Sequence, residues 1–552
     1  MKYIIIGGVA GGASLATRLR RLDEYCDITI YEKSHFVSYA NCGLPYYIGN
    51  VIKEESSLTL QSPRSLKNRF NIDVYISHEV IKINKEDHTV LVKNLLTNEQ
   101  FLDTYDKLII ATGAEAIKIK ETSKRIFELK NVEDTIRLKE SIDKLNVKEV
   151  IVIGGGFIGL EILENLVDLG IKVTLIEGSN HILPNLDKEL ARVIEKELIN
   201  KGIDLVLNTF TTDIIEEDDR VTIKTNKDIS FNSDLVIEAL GVKPSNNLAI
   251  NTLVLGIKGA IKTNNNFLTS DKDIYAIGDV TSLVSLIDNK ETYIPLAGLA
   301  NKEGRELANH LVNNIDIDIK PIGTSILKLF KSHIATTGLN EETLKKKNIP
   351  YQKIYLTPTD HASYYPNPKT LLIKVMFDPI NYYILGAEII GESGVDKRID
   401  LLSFAIKFKI KGYELKNLEL SYAPPFSSAK DPINMIGYMI ENIKDNLISQ
   451  FYSEDIEYIK KDPNILLLDV RTKEEYDYGH IEESINIPVD EIRKNLADLP
   501  LNKEIYLICQ SAIRSYIASR ILTQHGYKCK HLAGGYRVYS LYNEEAKIAK
   551  FI

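Results

Sequence analysis

Cys42 stands in the run Phe36 to Gly49, FVSYANCGLPYYIG, far along the chain from Cys509 and Cys529 and separated from Cys26 by a strand pattern. A thiolate is a nucleophile and a redox group. A lone one cannot close a disulfide with a sequence neighbour, so its oxidised partner must come from elsewhere or be an oxygen. Cys509 is a second candidate. It opens the loop CQSAIR, Cys509 to Arg514, between an apolar strand and a helical pattern. Backbone N–H groups there, the helix N-terminus and Arg514 together favour an anionic sulfur. Cys26 and Cys529 lie in ordinary helix-to-strand contexts and are expected to be buried structural thiols.

Two repeats of one pattern must position this chemistry. Tyr3 to Ala13 (YIIIGGVAGGA) and Val150 to Glu161 (VIVIGGGFIGLE) each join an apolar run to a glycine-rich turn and a helical pattern. Each leads to a second apolar strand ending in an acid, Glu32 and Glu177. This is the dinucleotide-binding unit: glycines permit the sharp turn, the close approach of a pyrophosphate and the packing of helix on strand, and the acid accepts from ribose hydroxyls. Gly154, Gly156 and Gly159 satisfy it fully; in the first copy Gly7 and Gly12 do, with Val9 in the middle place. Leu108 to Ala114, containing Thr112 and Gly113, reads as a buried strand with a small-residue turn. Ile274 to Asp279 reads as a strand whose terminal acid could hold a ribityl or phosphate-bound group.

The 552 residues suggest three or four domains, and 44% hydrophobic with 26% charged residues is ordinary for a globular protein. A net charge of -8 argues against general nucleic-acid binding. No apolar run is long enough for a membrane helix, and the N-terminus reads as a strand rather than a signal peptide. Four widely spaced cysteines suit a reducing, cytoplasmic setting. No metal-ligand spacing stands out.

The chain resembles the flavin-dependent pyridine nucleotide-disulfide oxidoreductases, and within them the coenzyme A-disulfide reductases fused to a rhodanese domain, also called NADH-dependent persulfide reductases. The motifs are Gly7 to Gly12, Ser38 to Tyr47, Asp279 in its strand-end context, Asp396 to Asp400 and Tyr422 to Pro425. The resemblance implies an α/β architecture of two Rossmann-like domains, an α+β dimerisation domain and a C-terminal α/β rhodanese domain. The expected boundaries are 1–115 with 245–322 for FAD, 116–244 for NADH, 323–446 for dimerisation and 451–552 for the rhodanese domain. It also implies a homodimer whose active site is completed by the partner subunit.

By the same resemblance Cys42 forms a mixed disulfide with coenzyme A and needs a low thiol pKa. Tyr364 and Tyr422 reach across from the other subunit to the substrate sulfur, with Tyr365 as an alternative to Tyr364. Ser38, Asn41, Gln61, Arg64, Asn301 and Arg305 are candidates for binding coenzyme A, and Arg18 and Arg21 for its adenosine end. Cys509 would carry a persulfide, with Arg514 adding positive charge; related loops often have glycine where Ala512 stands. The loop length suits sulfur transfer rather than phosphatase chemistry. Relatives that reduce oxygen or peroxide carry a histidine where Ala10 stands, so an NADH oxidase is the lesser reading. A third is a sulfur-trafficking or redox-sensing protein acting through Cys509. Glu177, followed by Gly178-Ser-Asn180 with no arginine, implies NADH over NADPH.

Overall fold

The computed structural model describes residues 1–543. The end of the expected 451–552 domain, residues 544–552, lies outside the described residues. The chain divides into two units, Met1–Leu183 with Leu198–Pro321, and Pro184–Glu197 with Ile322 onward.

The first unit carries two five-stranded sheets, all of whose pairings are parallel. One runs Ile274–Ala276, Lys107–Ile110, Lys2–Ile6, Asp27–Glu32, Asp73–Ile76. Ile4, Ile5, Ile30 and Ile109 are wholly buried, as expected for strands covered on both faces. Strand order reverses on either side of Lys2–Ile6, which leaves a crevice beyond its C-terminal end. Ile6 pairs with Tyr31 and Ile110, and Ile110 with Ala276. That register brings Gly7, Glu32, Thr112 and Asp279 to one edge. The second sheet repeats the plan as Asp204–Val206, Lys172–Ile176, Glu149–Ile153, Leu235–Glu238, Ile126–Glu128. Ala114–Ala116 and Val242–Pro244 pair antiparallel where the chain leaves the first sheet and returns.

The second unit holds an antiparallel sheet, Ser325–Leu329, Ser332–Gly338, Ile384–Gly391, Leu372–Phe377, Gln352–Leu356. It also holds a parallel one, Gln450–Phe451, Cys529–Leu532, Glu504–Ile508, Ile465–Asp469, Ile485–Asn486. Pro184–Glu197, read from sequence as part of 116–244, groups with this unit, and charge explains why. The fully buried Lys374 ammonium lies 2.7 Å from Asp187, 2.5 Å from Glu189 and 2.7 Å from Glu341. Lys353 adds a second cation, 2.9 Å from Glu341 and paired with Glu454 of the C-terminal segment. Tyr355 donates to Glu189 at 2.7 Å and contacts the Tyr542 hydroxyl at 3.1 Å. The three carboxylates are close enough to share a cation, and the lysine ammonium takes that role. Buried acids need such partners, so the segment goes where the lysines are.

Candidate functional site

The two dinucleotide turns are near copies in three dimensions. Gly7 has φ +100° and Gly154 +107°; a Cβ would lie 2.3 Å from the Ala111 carbonyl oxygen and 2.4 Å from that of Ala239. At Gly12 and Gly159 a Cβ would lie 1.9 and 2.0 Å from the carbonyl oxygens of Gly7 and Gly154, so helix and strand approach only because both are glycine. Gly8 N–H donates to Glu32 at 2.8 Å and Gly155 N–H to Glu177 at 2.7 Å. Ser34 and Ser179 N–H groups hold the other carboxylate oxygens at 2.9 and 2.7 Å. Nothing lies within 4 Å of a Cβ built on Gly113 or Gly156. These open cradles beside buried acids fit a dinucleotide at each turn.

Cys42 lies in the 3₁₀ turn Asn41–Gly43, is exposed and free, and leads into the helix Leu44–Ile48. Glu161 and Lys130 were not identified from sequence; the structure puts both within electrostatic reach of the thiol, together with Asp279. Although exposed, Cys42 is crowded enough that burial pushes its thiol up; Glu161 and Asp279 add to the shift and Lys130 opposes it. The protein's own groups therefore do not supply the low pKa expected from sequence. Burial also pushes the Glu161 carboxyl up to about 7, opposed by the Tyr46 hydroxyl that contacts it at 3.4 Å. Asp279 is raised by burial, against Lys130. Beside it Glu303, 1% exposed, accepts the Gly278 N–H at 2.5 Å and is pushed up to about 8 by burial. Glu161 had a sequence signal, the acid just after the second glycine turn.

The coenzyme A candidates cluster in part. Leu60 N–H donates to the Ser38 carbonyl and Ala40 N–H to that of Leu58, both at 2.8 Å, which sets Ser38 beside the segment leading to Gln61, whereas the same antiparallel register carries Asn41 the other way. Asn41 Oδ1 is buried without a partner. Asn301 accepts from Ser14 at 2.5 Å, tying its helix, which also carries Arg305, to the first helix. Arg18 is engaged by Asn309 at 2.9 Å and Arg21 by the Thr17 carbonyl at 2.9 Å. Thr112 donates to the Ser245 carbonyl at 2.8 Å, where the two crossings of the chain meet.

In the second unit, the Tyr364 and Tyr422 hydroxyls are 2.6 Å apart and both residues are exposed. The contact with Tyr422 pushes the Tyr364 phenol up. Tyr365 packs edge-on against His361 instead. The loops carrying the pair are knitted by Arg398, a wholly buried member of the Asp396–Asp400 motif. It donates to the Asp360 carbonyl at 2.8 Å and to Asp431 at 3.0 Å. A cavity of about 570 Å³ lined by Asp360, His361, Lys397, Tyr422 and Phe426 adjoins it.

Cys509 follows the strand Glu504–Ile508 and is 0% exposed. Its carbonyl accepts the Tyr536 N–H at 2.7 Å, and a Cβ on Gly535 would lie 2.4 Å from that oxygen. Arg514 is a bidentate partner of Glu475, at 2.6 and 2.7 Å, so much of its charge is already met; it holds the Glu475 carboxyl down at about 2. Cys26 is buried beneath Arg20 as expected, whereas Cys529 is half-buried rather than buried, and what burial it has pushes its thiol up to about 12. Ala512 has φ +70°, the left-handed region that disfavours a side chain. Ala512→Gly should raise the stability of this loop by about 0.5–1 kcal/mol. Calorimetry should show the second unit melting about 1–3 °C higher.

A family model described as pyridine nucleotide-disulphide oxidoreductase matches residues 1–304. The dimerisation domain of that family matches 324–432, and a rhodanese-like domain 454–541. A coenzyme A disulfide reductase of Staphylococcus haemolyticus is 39% identical over 80% of this chain and 100% of its own. Among solved structures, the reduced Bacillus anthracis CoADR-RHD is 42% identical with TM-score 0.96, covering 99% of both chains. A NAD-dependent persulfide reductase from A. fulgidus is 33% identical with TM-score 0.89, over 98% of this chain and 100% of its own.

Proposed function

The chain belongs to the pyridine nucleotide-disulphide oxidoreductase family, and from that premise we propose that it reduces coenzyme A disulfide, coenzyme A persulfide or polysulfide with NADH. The observation that carries the reading is the free, exposed Cys42, set among Glu161, Lys130 and Asp279 in the unit that carries both dinucleotide turns. Relatives named for coenzyme A disulfide and for persulfide reduction support it.

FAD bound along Gly7, Gly12, Glu32, Thr112, Gly113 and Asp279 would supply the passage of electrons from NADH to sulfur. NADH would lie at Gly154, Gly156, Gly159 and Glu177. The Cys42 thiolate attacks one sulfur of the disulfide, the S–S bond breaks, and coenzyme A leaves as a thiolate. Cys42 is then held as a mixed disulfide, whose two-electron reduction releases the second thiol. With a persulfide, hydrosulfide leaves instead. Glu161 holds a proton up to about neutral pH beside this sulfur. In a homodimer, the Tyr364–Tyr422 pair of one protomer would be the acid for the thiolate departing at the partner's Cys42. Ser38, Asn41, Gln61, Arg64, Asn301 and Arg305 hold coenzyme A in this reading, the orphan Asn41 oxygen awaiting a donor. The C-terminal domain handles sulfane sulfur at Cys509. The protein works as a homodimer in the cytoplasm; among the described residues no helix is long and apolar enough to cross a membrane.

Hydrosulfide release should require both NADH and coenzyme A, and kcat/KM for NADH should exceed that for NADPH by roughly 10-fold or more, because the Glu177 carboxylate repels a 2′-phosphate. Steady-state assays with each nucleotide check this. Rapid oxygen consumption without any sulfur acceptor would replace the reading with an NADH oxidase.

A further inference from the structure

A buried hydrogen-bonded cluster lies behind Cys509. Its Sγ is 3.3 Å from the Ser515 hydroxyl, which is 3.5 Å from His531 Nδ1 and 3.1 Å from the Ala512 carbonyl oxygen. Ser515 is 0% and His531 1% exposed. His531 Nε2 is buried and has no partner. The histidine sits on the strand Cys529–Leu532, whose His531 pairs with Leu507 of the strand that Cys509 follows, so the sheet itself holds the ring at this distance.

We infer that Ser515 is a catalytic residue that stabilises the Cys509 thiolate as it leaves a persulfide, and that His531 is a positioning residue that turns the Ser515 hydroxyl toward sulfur. The inference rests on the sulfurtransferase reading of this domain.

As a thiol, Cys509 donates to the Ser515 hydroxyl, which donates to the Ala512 carbonyl. Once Sγ is a thiolate, the one hydroxyl proton has two acceptors, Sγ and that carbonyl. An imidazole that donates Nδ1–H to Ser515 Oγ leaves the proton of Ser515 free to face sulfur. It also makes the orphan Nε2 a bare lone pair rather than a buried N–H without an acceptor, the costlier alternative. Burial keeps the ring neutral, with its pKa lowered to about 4. In the loading step the Cys509 thiolate attacks the outer sulfur of thiosulfate, an S–S bond forms and sulfite leaves with the electron pair of the broken bond. In the unloading step cyanide attacks the outer sulfur of the persulfide. Thiocyanate forms, the Cys509 S–S bond breaks, and its electron pair returns to Sγ. Negative charge reaches Sγ only in that second step; in the persulfide it lies on the outer sulfur. A donor aimed at Sγ therefore favours unloading over loading. When Sγ is uncharged, the hydroxyl can turn to Ala512.

The test is rapid-mixing measurement of both half-reactions in the full-length chain, with thiosulfate as donor and cyanide as acceptor. Ser515→Ala and His531→Leu should each slow unloading by roughly 10-fold or more, the loss expected for one hydrogen bond to an anion, and shift the equilibrium toward persulfide. His531→Asn, which keeps a donor, should recover most of the rate. The calorimetric transition of the second unit, which holds both residues, reports that each variant is folded. Unloading within 2-fold of wild type in Ser515→Ala, or equal slowing of both half-reactions in every folded variant, would overturn the relay alone. A wild-type Cys509 that takes no sulfur from thiosulfate would overturn the sulfurtransferase reading and the relay with it.

Discussion

Cys42→Ser is expected to lower NADH-dependent reduction of coenzyme A disulfide by about 10³-fold or more, since the hydroxyl is too weak an acid to attack the disulfide as an anion. Transfer of sulfur from thiosulfate to cyanide should stay within about 2-fold, because the proposed site of that chemistry, Cys509, lies in a different structural unit. Cys509→Ser should show the reverse. The physical basis is that each sulfur has its own environment. Cys42 is exposed, with two carboxylates and one lysine acting on it. Cys509 is wholly buried against a hydroxyl and anchored through its own carbonyl. Parallel assays of the two activities in both variants check this. Reductase activity in Cys42→Ser comparable to wild type would remove the mixed disulfide from the mechanism.

Lys374→Met is expected to cost about 3–5 kcal/mol, because it leaves Asp187, Glu189 and Glu341 buried with too little positive charge. Calorimetry should show the transition of the second unit falling by on the order of 10 °C. The acids need not all stay charged: Glu388, wholly buried nearby, is already pushed far up by burial and by Asp187. The loss should therefore be partly recovered at lower pH, where the stranded carboxylates take up protons. In the wild type, Lys374 holds the Glu341 carboxyl below its usual range. That stabilisation is present above the unfolded carboxylate pKa and is lost as pH falls. A melting temperature unchanged by the substitution would show that the lysine is not the counter-ion of this cluster.

The glycine turns, the acids that close them and both candidate cysteines were legible in the chain. Such features are local: a turn that only glycine can make, or an acid one strand away, leaves a fixed spacing. Gly7 and Gly154 show this, each facing a carbonyl from a neighbouring strand at almost the same distance. Tyr364 could not be separated from Tyr365 by spacing, since adjacent residues share one. The loop conformation gives them different neighbours, pairing Tyr364 with Tyr422 and turning Tyr365 to His361.

The sequence by itself determined the kind of chemistry, two dinucleotide sites and two separate sulfurs, because those depend on residue type and short-range order. Only the tertiary structure decided what surrounds each sulfur. Glu161 and Lys130 come to Cys42 from more than 80 residues away. His531 comes to Ser515 through the pairing of two strands, and Pro184–Glu197 joins the second unit through buried lysines. Burial and field are sums over everything nearby in space, and no spacing along the chain encodes them.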